Sequence, residues 1–291
     1  MSPVTAPIAK PLAWIEGTVL SPDVARVPLE DRGVLFGESA YEAVLTRSGR
    51  VFALEPHLRR LERSATGAGI CPAAFRDRIR GAVDALLEAG GEGDGLLYLH
   101  VTGGAAPREH VPAVAAVPGV YATLRPFDRA ALIRTQEVGI DIATCDDERW
   151  RQAHWKTTQL LPNILAKRGA AAIGAQEAVF VDAEGVLLEG GSSNVWVVTG
   201  GVALTPPLTR NILPGVTRAL LLEHASDGAR EADVPKRLLD EADEVFITST
   251  TRPVLAVVRA DGKAVGDGAP GPVTRALAQR FRDLMDADLS A

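Results

Sequence analysis

Lysine is scarce in this 291-residue chain: of 31 basic residues only Lys10, Lys156, Lys167, Lys236 and Lys263 are lysine, and the other 26 are arginine. Basic surface work has been given to arginine, so each lysine invites a specific question. Cysteine is scarcer still. Cys71 and Cys145 stand far apart and outside any Cys-x-x-Cys spacing, which argues against a disulfide framework and a zinc site and for a reducing cytoplasm. No metal is expected. No apolar run reaches the length of a membrane span. Residues 1–12 hold one lysine, three prolines and no long apolar stretch, unlike a secretory signal. A basic field is lacking too. The net charge of −6 offers nothing to hold a nucleic-acid backbone or an anionic membrane, so neither is expected as a partner.

What is present is material for a large core. A hydrophobic content of 46% over 291 residues exceeds one compact domain and predicts two domains sharing a cleft. From Ala13 to Ala53 the chain reads as short strands, with Ser48-Gly49 joining the apolar runs Tyr41–Thr46 and Val51–Leu54. Two helices follow, one over Glu55–Ala68 with Leu58, Leu61 and Ala65 on one face, one over Pro72–Ala89 with Phe75, Ile79, Val83 and Leu86. The runs Leu96–Thr102 and Val114–Leu124 are strand-like. Residues 125–134 carry a proline and charges without a period and read as a linker between an N-terminal α+β domain over 1–124 and a second domain over 135–291. In the second domain, strands at Val138–Thr144, Ala178–Val181, Val195–Thr199, Val202–Thr205 and Glu244–Thr248 are interspersed with helices opening near Pro162, Val216 and Pro272.

The most informative segment is Glu189-Gly190-Gly191-Ser192-Ser193-Asn194-Val195-Trp196, followed by Thr205-Pro206-Pro207 and then Leu213-Pro214-Gly215-Val216-Thr217-Arg218. Gly215 opens a helix, so the amides of Val216 and Thr217 are donors at the positive end of a helix dipole, which suits a phosphate. Any one piece also reads as an ordinary turn or hairpin; the fixed order of all of them does not. The arrangement resembles the signature of class IV aminotransferases, fold-type IV enzymes that use pyridoxal 5'-phosphate, with Trp196 where relatives usually carry Phe or Tyr. This resemblance implies an α+β / α/β fold of two domains, with the active site in the cleft between them at a dimer interface. It implies that Lys156, in His154-Trp155-Lys156-Thr157-Thr158, carries the cofactor and is the catalytic residue. It further implies that Glu189 faces the pyridine nitrogen and that Arg60, in His57-Leu58-Arg59-Arg60-Leu61, meets the phosphate. Ser192, Asn194, Val216, Thr217 and the loop Ser249-Thr250-Thr251 complete the cofactor ligands. Lys167 reads as a solvated helix residue, and His57 as a helix-surface or capping residue.

For the substrate, Pro107-Arg108-Glu109-His110 resembles the loop of D-amino acid aminotransferases whose arginine and histidine, reaching across the dimer interface, join a tyrosine to hold the substrate α-carboxylate. Tyr41 matches that tyrosine. A guanidinium, an imidazole and a phenol make a sensible fixed site for one carboxylate. Gly103 stands where close D-amino acid relatives commonly have arginine. The implied reaction is ping-pong transamination of D-amino acids with 2-oxo acids by a homodimer. The alternatives are an (R)-amine transaminase, a branched-chain L-amino acid aminotransferase, an aminodeoxychorismate lyase, or a cofactor-binding protein without turnover.

Overall fold

A computed structural model describes residues 8, 10–113, 116–225 and 228–290. They form two compact units: one runs to Asp128 and takes in Trp155–Gln159, and the other comprises Arg129–His154 and Leu160–Ser290.

The first unit is built on strands β1 (Leu12–Ile15), β2 (Thr18–Leu20), β3 (Ser39–Arg47), β4 (Arg50–Val51), β5 (Gly95–Thr102) and β6 (Gly119–Pro126). Every pairing is antiparallel, in the order β2-β1-β6-β5-β3-β4. Alternation puts Ala40 and Val44 of β3, Leu97, Leu99 and Val101 of β5, and Val120, Ala122 and Leu124 of β6 into one core. Helix α1 (Arg32–Phe36) lies between β2 and β3 in the chain, and α2 (Leu54–Gly67) and α3 (Arg76–Gly90) lie between β4 and β5. Leu58, Leu61 and Ala65 of α2 and Ile79, Val83 and Leu86 of α3 join that core, as their spacing predicts. The opposite face carries Tyr41, Tyr98, His100 and Tyr121, all half-buried. Ser48 and Gly49, at φ 52° and 72°, make the tight turn between β3 and β4.

The second unit holds a nine-stranded mixed sheet of β7 (Ile140–Asp146), β8 (Glu177–Val181), β9 (Leu187–Gly190), β10 (Asn194–Thr199), β11 (Val202–Thr205), β12 (Ala229–Glu231), β13 (Glu244–Thr248), β14 (Leu255–Ala260) and β15 (Lys263–Ala264). Its order is β12-β11-β10-β13-β14-β7-β8-β9, with β15 paired to β14. Strands β8 and β13 are buried at every position, because both faces are covered and alternation has no use there. Helices α4 (Arg129–Val138), α5 (Leu161–Ala172), α6 (Val216–His224), α7 (Leu238–Glu241) and α8 (Pro272–Ser290) accompany this sheet in the chain.

Differences from the sequence expectations have local causes. Residues 125–134, expected as a linker, are the end of β6 and the start of α4, a helix with no buried residue and hence no apolar period to read. The helix expected over Pro72–Ala89 begins as a 3-10 turn, Pro72–Ala74, and resumes at Arg76, because Phe75 leaves helical geometry at φ −133°. The strand expected from Val114 begins at Gly119, and residues 114–115 lie outside the described residues, as do 1–7 and 9 of the N-terminal segment.

One glycine in the loop after β5 is required twice over. Gly104 adopts φ +80°, and a Cβ there would lie 1.9 Å from the Val117 carbonyl oxygen, whereas Gly49 has φ +72° and open space. Gly49→Ala should therefore cost only the left-handed strain, about 1–2 kcal/mol. Gly104→Ala should add an overpacking penalty of about 1–3 kcal/mol to a similar strain. Urea unfolding of both variants checks this, and equal losses would show that space at Gly104 is not limiting.

Candidate active site

In the first unit the segment around Lys156 is sewn to β3 and α2. The Tyr41 amide donates to the Lys156 carbonyl at 3.0 Å, the Lys156 amide donates to Ser64 Oγ at 2.9 Å, and the Ser39 and Thr158 hydroxyls are bonded at 2.7 Å. Ala40 and Thr157 form an antiparallel bridge. Gly67 is open enough to receive the Trp155 indole, which would come within 2.3 Å of any Cβ there. Lys156 is half-buried, and its Nζ lies 4.3 Å from the centroid of the Tyr41 ring, which stacks in turn on His100 at 5.8 Å. No carboxylate pairs with Lys156 among the described residues.

Alternation along β3 that turns Tyr41 to the half-open face turns Glu42 inward, fully buried beneath α2. Arg60 answers it with a two-pronged pair, Nε to Oε1 at 2.7 Å and Nη2 to Oε2 at 2.8 Å, and His57 Nδ1 meets Oε2 at 2.8 Å. His57 is thus 1% exposed and part of a buried network, correcting the expectation of a surface or capping residue. Of the three arginines in this stretch of α2, Arg59 and Arg63 are exposed and Arg60 is buried. Burial alone would raise the Glu42 carboxyl, but the Arg60 charge and the bonds from Arg60 and His57 hold it down at about 2. His57 is pushed down by burial, against the pull of Glu42, and so favours the neutral form.

Arg108 and His110 lie in the exposed loop after β5, gathered on Phe36 of α1: the Arg108 guanidinium is 5.5 Å from that ring and the His110 ring lies tilted beside it at 5.5 Å. Among the described residues neither is joined to Tyr41, so a single chain does not assemble the expected carboxylate trio.

The second unit brings the Glu189 motif together. Glu189, at the end of β9, is 4% exposed, which excludes a solvated hairpin residue. It accepts from the Leu213 amide at 3.0 and 3.1 Å, from Asn194 Nδ2 at 3.3 Å and from Arg149 Nη1 at 2.5 Å. Asn194 also donates to the Leu213 carbonyl at 3.0 Å, and its Oδ1 lies 2.0 Å from where a Gly215 Cβ would be, so glycine is needed at the helix entrance. Beyond it the buried Val216 and Thr217 open α6, whose first amides have no preceding carbonyls to receive them. Burial pushes the Glu189 carboxyl above its ordinary range while Arg149 pulls it back. Trp196 is fully buried, and its indole N–H is satisfied by Thr248 at 3.0 Å, which accommodates its departure from Phe or Tyr.

Ser192 and the loop Ser249–Thr251 are connected through a residue that sequence reasoning passed over. Arg252 closes the loop, its carbonyl accepting from the Ser249 amide and its amide donating to Ser249 Oγ, and its side chain donates to Ser192 Oγ at 3.0 Å and to the fully buried Glu177 at 2.5 Å. Lys167 also reaches Ser192, at 2.8 Å, and Glu177, at 3.3 Å, so it is not the solvated helix residue expected. Arg149 was missed as well: its side chain is 5% exposed, grips Asp147 with Nε and Nη2, and lies 4.2 Å over the Phe180 ring. The only signal for it was indirect, since a buried Glu189 demands a cation. No metal-ligating cluster and no helix long and apolar enough to cross a membrane occur among the described residues.

The fold is that of the fold-type IV enzymes. A branched-chain amino acid aminotransferase of Escherichia coli superposes with a TM-score of 0.85 over 95% of this chain and 94% of its own, at 24% identity. A hypothetical aminotransferase of Mycobacterium tuberculosis in PLP-bound form, 26% identical, does so with 0.81 over 96% and 98%. Residues 39–260 match amino-transferase class IV, and the chain belongs to that family. In sequence it is 37% identical over 262 residues to a D-alanine aminotransferase of Bacillus licheniformis, covering 89% of this chain and 92% of the relative. To a D-alanine aminotransferase of Staphylococcus haemolyticus it is 34% identical over 278 residues, covering 94% and 98%.

The Glu42 network makes stability depend on pH. The folded chain holds His57 below its ordinary 6.5, so its contribution is complete above about that pH and is lost as pH falls toward the folded value. The contribution of Glu42 is present above 4.5 and lost as pH falls toward about 2. Both act in the same direction, so the melting temperature should fall on acidification, and His57→Gln should flatten the part of the curve that begins near pH 6.5 while leaving the fall that begins near 4.5. A variant curve parallel to wild type in the upper range would remove His57 from this account.

Proposed function

We propose that this class IV aminotransferase transfers the amino group of D-amino acids to 2-oxo acids with pyridoxal 5'-phosphate, and that it works as a homodimer. The observation that carries the reading is the loop Pro107-Arg108-Glu109-His110 in a chain 34–37% identical, over nearly its whole length, to D-alanine aminotransferases. The cytoplasm suits two cysteines that are both free.

The residues fit the cofactor. Lys156 has an ammonium that no carboxylate claims, and Glu189 is a buried acid already braced by Arg149, Asn194 and the Leu213 amide. When bound, pyridoxal phosphate supplies an electron-withdrawing ring that stabilises negative charge at the substrate Cα. Lys156 Nζ attaches the cofactor and moves the Cα proton. Glu189 holds the proton on the ring nitrogen, because a carboxylate there favours the charged form. The phosphate would be met by the Val216 and Thr217 amides, by Ser249, Thr250 and Thr251, with Ser192 nearby, and by Arg60. Tyr41, with Arg108 and His110 of the partner subunit, fixes the substrate carboxylate. The lysine takes a proton on one side only, so the side on which the carboxylate is held decides which enantiomer reacts.

Two experiments test this. Lys156→Ala should leave the protein folded but unable to retain cofactor after borohydride reduction, and peptide mapping of the wild type should find the label at Lys156. Label elsewhere would reassign the lysine. For the substrate, wild type should use D-alanine faster than L-leucine, and Arg108→Leu should cost D-alanine about 1.5–3 kcal/mol of binding through loss of a hydrogen bond to a charged group. Faster turnover of L-leucine would favour instead the branched-chain reading, while leaving the aminotransferase family untouched.

A further inference from the structure

We propose that Arg32 is the positioning residue of the substrate loop: a buried guanidinium that never meets the substrate sets how firmly Arg108 and His110 hold its carboxylate. The proposal rests on the reading of those two residues given above. Arg32 opens α1 and is 6% exposed. Its Nε donates to Glu38 at 2.6 Å, its Nη1 to the Glu109 carbonyl at 2.7 Å and its Nη2 to the His110 carbonyl at 3.0 Å. Its own amide donates to the Gly104 carbonyl at 2.8 Å. One residue therefore fastens the outgoing leg of the loop through its main chain and the recognition tip through its side chain.

The surroundings are built to keep that guanidinium in place. Asp31, fully buried, caps α1 through the Gly33 amide at 2.8 Å and accepts the Thr102 and Tyr121 hydroxyls, both at 2.7 Å, which fixes the start of α1 against β5 and β6. Gly103 leaves room for the ion pair, since a Cβ there would lie 2.5 Å from Glu38 Oε1 and 3.3 Å from Arg32 Cβ. An arginine at position 103 could not stand there without displacing Glu38. Phe36, one turn after Arg32, has the Arg32 guanidinium at 5.0 Å on its ring and the side chains of Arg108 and His110 at 5.5 Å each. The loop tip is thus held by its carbonyls from within and by one aromatic ring beneath its side chains. Only a planar fork with several N–H groups can reach a carboxylate and two carbonyls together; an ammonium cannot do so in the same directions.

The test uses the cofactor-loaded enzyme with Arg32→Lys, Glu38→Gln and Arg108→Leu, and reads steady-state kinetics with D-alanine together with amide hydrogen exchange over residues 103–111. In Arg32→Lys the KM for D-alanine should rise about tenfold, as for one lost hydrogen bond to a charged group, with a much smaller change in kcat. Exchange in the loop should accelerate while that of β5 stays as in wild type. Glu38→Gln, which keeps the side-chain shape, should move both readouts the same way by less and stands in if Arg32→Lys does not fold. An unchanged KM in Arg108→Leu would overturn the carboxylate reading and this proposal with it. A raised KM in Arg108→Leu with unchanged KM and loop exchange in both Arg32→Lys and Glu38→Gln would overturn this proposal alone.

Discussion

A carboxylate taken out of water is costly unless a cation or several hydrogen-bond donors meet it: Asp31 takes an amide and two hydroxyls, whereas Glu42, Glu177 and Glu189, buried almost completely, take a cation as well. Each glutamate is met by arginine: Arg60, Arg252 and Arg149. The guanidinium is suited to this task because it stays charged under any condition the fold survives and offers several N–H groups in one plane. The 26 arginines of the sequence thus acquire a structural meaning. Arginine takes the fixed internal pairs, and Lys156 is left without a carboxylate partner among the described residues, in keeping with the role proposed for it. Lys167 is the counterexample that defines the rule, for it shares Glu177 with Arg252 and is correspondingly more exposed, 35% against 0% for the acid.

Each of these pairs lies one residue or one turn from a residue with a proposed chemical role. The pleat of β3 sends Glu42 into the core and its neighbour Tyr41 to the face where Lys156 lies, so fixing one orients the other. Arg252 stands immediately after Ser249–Thr251 and joins that loop to Ser192. The network around Glu42 costs stability at low pH, because its members are held in states that acid removes. That sensitivity is the thermodynamic consequence of placing charges in a core in order to orient residues at its edge.

Much of this was legible in the sequence, and what was not shares a cause. The apolar periods of α2 and α3 and the Ser48-Gly49 turn stood out because their patterns are local. The Glu189–Thr217 motif was readable in the same way, and the structure does draw Glu189, Asn194 and Gly215 together. Helix α4 escaped because it buries nothing and so has no period. His57, Arg149, Lys167 and Arg252 were misread or overlooked because a charged side chain is assigned to solvent by default. Their partners lie 15, 40, 10 and 75 residues away in sequence, beyond any local pattern. A sharper reading would have asked which cation answers each acid placed in an apolar strand. Glu42 between Ala40 and Val44, and Glu177 at the head of Ala178–Val181, both pose that question in the sequence itself.

The donors that hold Glu189 all come from the second unit, whereas those that hold the loop of Arg108 and His110 all come from the first. A change in Arg149 or Asn194 would therefore alter how the Glu189 carboxylate is held without touching the loop. A change in Arg32, Glu38 or Phe36 would move the loop without touching that carboxylate. Two networks closed in this way can vary independently, because substitutions without shared partners contribute nearly additively. Substrate preference is then free to drift while the cofactor residues stay fixed. The same fold, shared at a TM-score of 0.85 with a protein only 24% identical, leaves most side chains free to differ, so a site's specificity is set by its own residues and not by the fold.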